Sequence, residues 1–405
     1  MPHMASVSLG LWVAVGGRHE PARLNGVAHF LEHLLFKGTP KRTARQISEA
    51  VEGIGGYLNA FTSEENTCYY SKACHDRFAE LLDVLTDMFL NASFAPEEID
   101  KERAVIKEEL AMYLDQPQHL VQELLNQLQW PDQPLGRPIT GTGRTLDAMS
   151  RGDLLSFHRS HYVGATTLVA VAGNLEPRQV VRCVRERAGP FVPGRRPGFI
   201  PATWSQRRPA VSLRTKPVGQ TQLALGIRTC SRHDERRFAL RLLNTLLGEN
   251  MSSRLFQLVR EDHGLAYNIY SSLSFFDDIG DVVVSAGLET ENLPKVLRLV
   301  GRELRRLSEQ PPGKLELGRA RDYLIGQIDL SLENTENQMM WLGEQFLGYG
   351  KIVSPQEIKQ RLAAVRPGEV RAVARDFFRP DRFNLALVSP LKSDRGLARL
   401  LERMG

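Results

Sequence analysis

Residues 25–39 read NGVAHFLEHLLFKGT. On an α-helix, positions i and i+4 share a face, so His29 and His33 converge on one side with Glu32 next to them. That geometry suits a metal. Neutral imidazole and carboxylate oxygen are favoured zinc ligands, and a catalytic zinc takes three protein ligands and keeps a fourth position open. Taken alone, the HxxEH pattern is evenly balanced between a metal site and a chance cluster of common helix residues. The rest of the chain has to decide.

With 405 residues the chain exceeds what one hydrophobic core serves well, so two domains of about 200 residues each are expected. Hydrophobic residues make up 42% and charged residues 24%, a balance of folded globular protein and not of a disordered chain. No stretch reaches the roughly 18 apolar residues of a membrane span, so no membrane partner is expected. The opening MPHMASVSLGLWVAVGG lacks a basic leader and a small-residue cleavage site, and it reads as a buried strand. Cys68, Cys74, Cys183 and Cys230 form no CxxC pair, which fits reduced thiols and a cytoplasmic location. The net charge of +5 comes from arginines scattered among glutamates, so no nucleic-acid partner is expected.

The first half begins with a strand, SVSLGLWVAV, followed by the helix of the motif and a second helix in RTARQISEAVEGIG. YLNAFTS and TCYYSKA, separated by EEN, have the pattern of a β-hairpin. HDRFAELLDVLTDMFLNA and APEEIDKERAVIKEELAMYLD then carry apolar residues at helical spacing, and TTLVAVAG closes the half as a strand. The second half repeats this plan from TQLALGIRT onward. Strands clustered ahead of helices predict an α+β protein of two similar domains, each a mainly antiparallel sheet backed by helices. The expected boundaries are 1–192 for an N-terminal domain that carries the HxxEH helix, 193–208 for a Pro/Gly/Arg-rich linker, and 209–405 for a C-terminal domain of similar fold.

Two histidines leave a zinc one ligand short. In DKERAVIKEELAMYLD, Glu102 and Glu109 are seven residues apart and share a helical face, so Glu109 is the candidate third ligand, Glu102 its support, and Glu108 points elsewhere. By themselves two such glutamates are more often a solvated helix face. Glu32 is then left to take a proton from water and pass it to a leaving amine. His75, His158 and His161 read as ordinary structural or surface residues.

Together, NGVAHFLEHLLFKGT, GGYLNAFTSEENTCYY and ERAVIKEELAMYLDQP resemble the pitrilysin-type inverted zincins, and specifically bacterial relatives of the mitochondrial processing peptidase β subunit. The resemblance implies one zinc per chain on His29, His33 and Glu109, with Glu32 as general base and Glu102 as accessory glutamate. It implies that the strand at Asn59, Ala60 and Phe61 binds peptide backbone by strand addition, and that Phe36 lines the pocket after the scissile bond. NMSSRLFQLVREDHGLAYNIYSS is similar to the family segment whose arginine and tyrosine complete the site from the opposite domain, here Arg260 and Tyr267, anchoring the substrate carbonyl. Family chains of this length pair as clam shells, so a homodimer is implied, or a heterodimer with a paralogous subunit. The expected activity is zinc metalloendopeptidase cleavage of extended or unstructured peptides in a closed chamber. The alternative is a catalytically silent structural or partner subunit. Two departures stand out: the family has another strand before PHMASVSLG, which leaves a sheet edge unpaired here, and its acidic pair that reads a basic residue near the cut falls on His119 and Glu123.

Overall fold

SVSLGLWV is buried at nearly every position because both faces of its strand are covered. The computed structural model describes residues 1–404. The strand β1 (Ser6–Val13) lies inside a four-stranded antiparallel sheet with β2 (Tyr57–Thr62), β3 (Thr67–Cys74) and β4 (Thr167–Gly173), in the order β2-β3-β1-β4. Val7, Leu9, Leu11 and Val13 face a core shared with α1 (Val27–Leu35), α2 (Ala44–Glu52), α3 (Phe78–Asn91) and α4 (Pro96–Asp115). Ser8, Gly10 and Trp12 face the other way, onto helix Thr335–Tyr349, where Ser8 Oγ lies 2.9 Å from Thr335 Oγ1. The period-2 alternation is present, but each side has its own apolar partner.

These elements form one compact unit, made of Met1–Ala111, Arg137–Ile200 and Asp329–Ile352; Met112–Gly136, Pro201–Ile328 and the residues from Val353 onward form a second. The second unit holds β5 (Ala210–Thr215), β6 (Thr221–Thr229), β7 (Ala266–Phe275), β8 (Gly280–Leu288) and β9 (Phe383–Ser389), ordered β5-β9-β6-β8-β7. β5 pairs parallel with β9 and every other pairing is antiparallel. Leu120, Val121 and Leu125 of α5 (Pro117–Gln129) pack on Ala224, Val283, Ala386 and Val388 of this sheet. Each sheet is thus backed by a helix that lies far from it in sequence.

Strand for strand, β2-β3-β1-β4 repeats as β7-β8-β6-β9, which is the expected pair of similar α+β units. The difference is at one edge. β9 is buried along its whole length between β6 and β5, whereas β4 has β1 on one side and no strand on the other among the described residues. Beside β4 runs an apolar groove of about 800 Å³ lined by Leu168, Ala170, Val180, Val184, Leu342 and Phe346. All four cysteines are free thiols, and no helix among the described residues is long and apolar enough to cross a membrane.

Helix Thr335–Tyr349 lies very close to the sheet. A Cβ on Gly343 would stand 2.2 Å from Trp12 Cε2, deep in the packing and with no flexible end to move aside. Gly343→Ala is expected to cost about 1–3 kcal/mol by overpacking, measured as a lower midpoint in chemical or thermal unfolding.

Candidate metal centre

The nine-residue α1 buries Val27, Phe30, Leu31, Leu34 and Leu35, and this sets which way its remaining face points. Its first turn has no cap from the preceding residue, because Gly26 sits there with φ +94° and no side chain. Nor could another residue replace it easily, since a Cβ at Gly26 would stand 2.8 Å from Thr140 O and from Gly141 Cα. The cap comes from upstream. Glu20, 3% exposed, accepts hydrogen bonds from the N–H groups of Gly26 (2.7 Å) and Ala28 (2.8 Å) and from Asn25 Nδ2 (3.1 Å). A carboxylate there meets the positive end of the helix. Burial pushes the Glu20 carboxyl up to about 7, against the pull of these donors.

The other side of α1 carries the buried His29 and the half-buried Glu32 and His33, and α4 brings Glu102 and Glu109 to the two histidines. Glu109 Oε2 is 3.7 Å from His29 Nε2 and 3.6 Å from His33 Nε2. These separations are too long for hydrogen bonds. They match two ligands on one tetrahedral zinc, which lie roughly 3.3–3.5 Å apart when each bond is about 2.0–2.1 Å. One ligand atom from each of the three residues falls within 4.8 Å of the others. Burial, then the neighbouring His33, lowers His29 to about 4, so its imidazole is neutral and available at pH 7. His33 Nδ1 lies 3.0 Å from Glu102 Oε2, which leaves Nε2 as the free lone pair, and Glu102 Oε1 accepts from Lys37 Nζ at 2.8 Å. The donor set fits zinc: two imidazole nitrogens and one carboxyl oxygen, with a buried acid beside one ring.

Glu32 is half-buried beside this trio, and burial raises its carboxyl above the usual range while a 2.5 Å hydrogen bond from Thr62 Oγ1 opposes the shift. Thr62 ends β2, whose outer edge has no strand among the described residues. Along that edge Leu58 and Ala60 turn toward the core under α1, while Phe61 turns to the opposite face and sets its ring 5.5 Å from Trp12. Ala60 N–H donates to Asn59 Oδ1 at 2.8 Å. Phe36, half-buried, follows the last turn of α1, with its ring 6.4 Å from Tyr69.

Residues 1–143 match the insulinase family, peptidase family M16, and residues 148–324 match the domain described as peptidase M16 inactive domain. A Mycobacterium tuberculosis (strain H37Rv) protein named as an uncharacterized zinc protease is 39% identical over 408 residues, covering 100% of this chain and 93% of that one. The chain belongs to the M16 peptidase family. The pitrilysin-type resemblance of the motifs is borne out, and with it the α+β fold. Among solved structures, a protease from Helicobacter pylori superposes with TM-score 0.89 at 20% identity over 95% of each chain. A chain of Complex III2 from Candida albicans superposes with TM-score 0.85 at 15% identity, covering 100% of this chain and 95% of that one. At these identities the two structures speak for the fold alone.

The remaining M16 residues singled out by resemblance lie in the second unit. Arg260 belongs to a π-helical turn, Phe256–Glu261, and its guanidinium lies 4.8 Å from the Phe256 ring centre and 4.9 Å from that of Tyr267. Tyr267 is 77% exposed and is the extra residue of a β-bulge in β7, where the pairing with β8 slips between Ala266 and Asn268. Bulges of both kinds re-aim individual side chains and are enriched at functional sites. Glu123 is half-buried on α5 and His119 exposed at its start. Glu108 is exposed, as its helical position requires. His158 is structural: Nε2 meets Phe89 O at 3.0 Å, and burial lowers it to about 4. His161 stacks on Phe157, and His75 is exposed.

Three contributors escape a motif reading: Glu20, Lys37 and Thr62. Glu20→Ala leaves the buried N–H groups of Gly26 and Ala28 without their acceptor and is expected to cost about 1–3 kcal/mol in unfolding free energy, measured by denaturant titration. Glu102→Gln should weaken zinc binding by about 10–100-fold in chelator competition, because it loosens the ring of His33 while leaving all three candidate ligands in place.

Proposed function

We propose that the protein is a zinc metalloendopeptidase that hydrolyses extended or unstructured peptides within a closed chamber. The observation that carries this reading is the convergence of His29 Nε2, His33 Nε2 and Glu109 Oε2 with the half-buried carboxylate of Glu32 on the same helix face. Zinc held by these three residues, one ion per chain, supplies a Lewis acid for the scissile carbonyl and makes water easier to deprotonate. Glu32 takes the proton of the attacking water and returns it to the leaving amine. Its half-buried setting favours both roles, since a carboxyl with a raised pKa exchanges protons closer to neutral pH.

The peptide adds as a strand along the free edge of β2, held by main-chain hydrogen bonds at Asn59, Ala60 and Phe61 largely regardless of its side chains. A substrate carbonyl takes over the Ala60 N–H that Asn59 Oδ1 covers in the free protein. Phe36 lines the pocket after the cut and Glu123 meets a polar substrate side chain. Arg260 and Tyr267 anchor the substrate carbonyl, and the cation–π contact between them holds the guanidinium in place. The working form is a homodimer, or a heterodimer with a paralogous subunit, in the cytoplasm. Along the sequence we assign catalysis and zinc to 1–192, a linker to 193–208 and the Arg/Tyr pair to 209–405. Support for zinc protease chemistry comes from the M. tuberculosis relative's name and its full-length match.

Cleavage of a quenched, unstructured basic peptide by the zinc-loaded protein tests this reading. Glu32→Gln is expected to lower kcat by about 10²–10⁴-fold with zinc still bound, and a chelator should abolish turnover. A wild type that binds zinc and cleaves nothing would overturn the reading in favour of a structural or partner-dependent subunit.

A further inference from the structure

We propose that Thr62 is a positioning residue that holds Glu32 in its working orientation, so that the strand presenting its edge to a peptide also supports the base. The inference rests on the peptidase reading for its consequence but on geometry for its content. Thr62 Oγ1 donates to Glu32 Oε2 at 2.5 Å and is the hydrogen-bond partner of that carboxylate among the described residues. A glutamate side chain has three rotatable bonds, and one short hydrogen bond to a carboxyl oxygen is enough to select among its rotamers. The other oxygen remains free for the proton transfer.

Thr62 can do this because it cannot move far itself. It is the last paired residue of the β2–β3 hairpin, opposite Thr67, whose hydroxyl donates to Val15 O at 3.0 Å. The turn beyond it is closed by Ser63 N–H to Asn66 O at 2.8 Å and is fastened to the segment after β1 by Gly17 N–H to Ser63 O (3.1 Å) and Arg18 N–H to Glu64 O (2.8 Å). Arg18 is fully buried and pairs with Glu65 at 2.6 Å. At Gly16 the backbones come so close that a Cβ would stand 2.2 Å from Ser63 O. The same short segment continues into Glu20, the cap of α1. Residues 16–20 therefore brace both ends of the Thr62–Glu32 contact, the hairpin that donates and the helix that accepts.

A serine would keep the donor and a valine would keep the shape. In the zinc-loaded protein, Thr62→Val is expected to lower kcat by roughly 10–100-fold, with KM and the zinc affinity from chelator competition unchanged, because the base is misaligned and nothing else is. Thr62→Ser should retain kcat within about threefold. A crystal structure of zinc-loaded Thr62→Val should show the Glu32 carboxylate turned from its wild-type rotamer. Wild-type kcat in Thr62→Val, an equal loss in Thr62→Ser, or an unmoved carboxylate in the crystal would each overturn the inference. If Glu32→Gln is inactive while Thr62→Val is not, this inference fails alone. If the wild type is inert with zinc bound, the peptidase reading fails and the carboxylate's rotamer still decides the role of Thr62.

Discussion

A zinc site of three protein ligands requires two imidazole nitrogens and a carboxylate oxygen to be held a few ångströms apart, although each is better solvated alone. The donors that the first unit brings together fit that demand. At nine residues α1 is too short to be stable as an isolated helix. Its apolar stripe fixes its rotation against the core, and Glu20 fixes its start. With both set, the spacing of His29, Glu32 and His33 becomes a fixed geometry, and α4 need only bring Glu109 to within 3.7 Å. The buried Glu102, between Lys37 and His33, removes the remaining freedom of one ring.

Much of this was legible in the sequence, because His29, His33 and Glu109 sit at positions that regular helices make predictable. HxxEH needs only the i, i+4 rule, and the pairing of Glu102 with Glu109 needs only the seven-residue repeat of a face. The β2–β3 hairpin followed equally from two β-prone runs around a polar turn. Glu20 escaped because a cap is sought in the residue just before the helix, which is a glycine, whereas the acid folds back from six residues upstream. Thr62 and Lys37 escaped for a related reason: their partners, Glu32 and Glu102, are 30 and 65 positions away, and nothing local in a strand end or a surface lysine announces such a contact. The backing of each sheet by α5 or by helix Thr335–Tyr349 was likewise hidden, since an amphipathic helix declares that it packs and not on what.

The two units show how little of the chemistry belongs to the fold. Their sheets share one strand order, yet the helical stretch between β6 and β7 carries apolar residues and arginines where α1 carries histidines. Function here is a set of side chains placed on a duplicated scaffold. The scaffolds also differ at an edge: β5 covers β9 in the second unit, while β4 keeps an apolar groove beside it.

The units differ further in how they display residues. In the first, the chemistry lies on regular elements, where helical spacing does the aiming. In the second, Arg260 and Tyr267 stand at breaks in regularity, a π-helical turn and a strand bulge. Each break inserts a residue that the neighbouring hydrogen-bond ladder does not need, at some cost in backbone pairing. The result is an exposed phenol 4.9 Å from the Arg260 guanidinium, in an orientation that a regular strand and helix would not give. Regular periodicity can place several ligands at once, as on α1, but it cannot re-aim one side chain without turning the rest. A bulge can, which explains why the placement of Arg260 and Tyr267 is harder to read from spacing than that of His29 and His33.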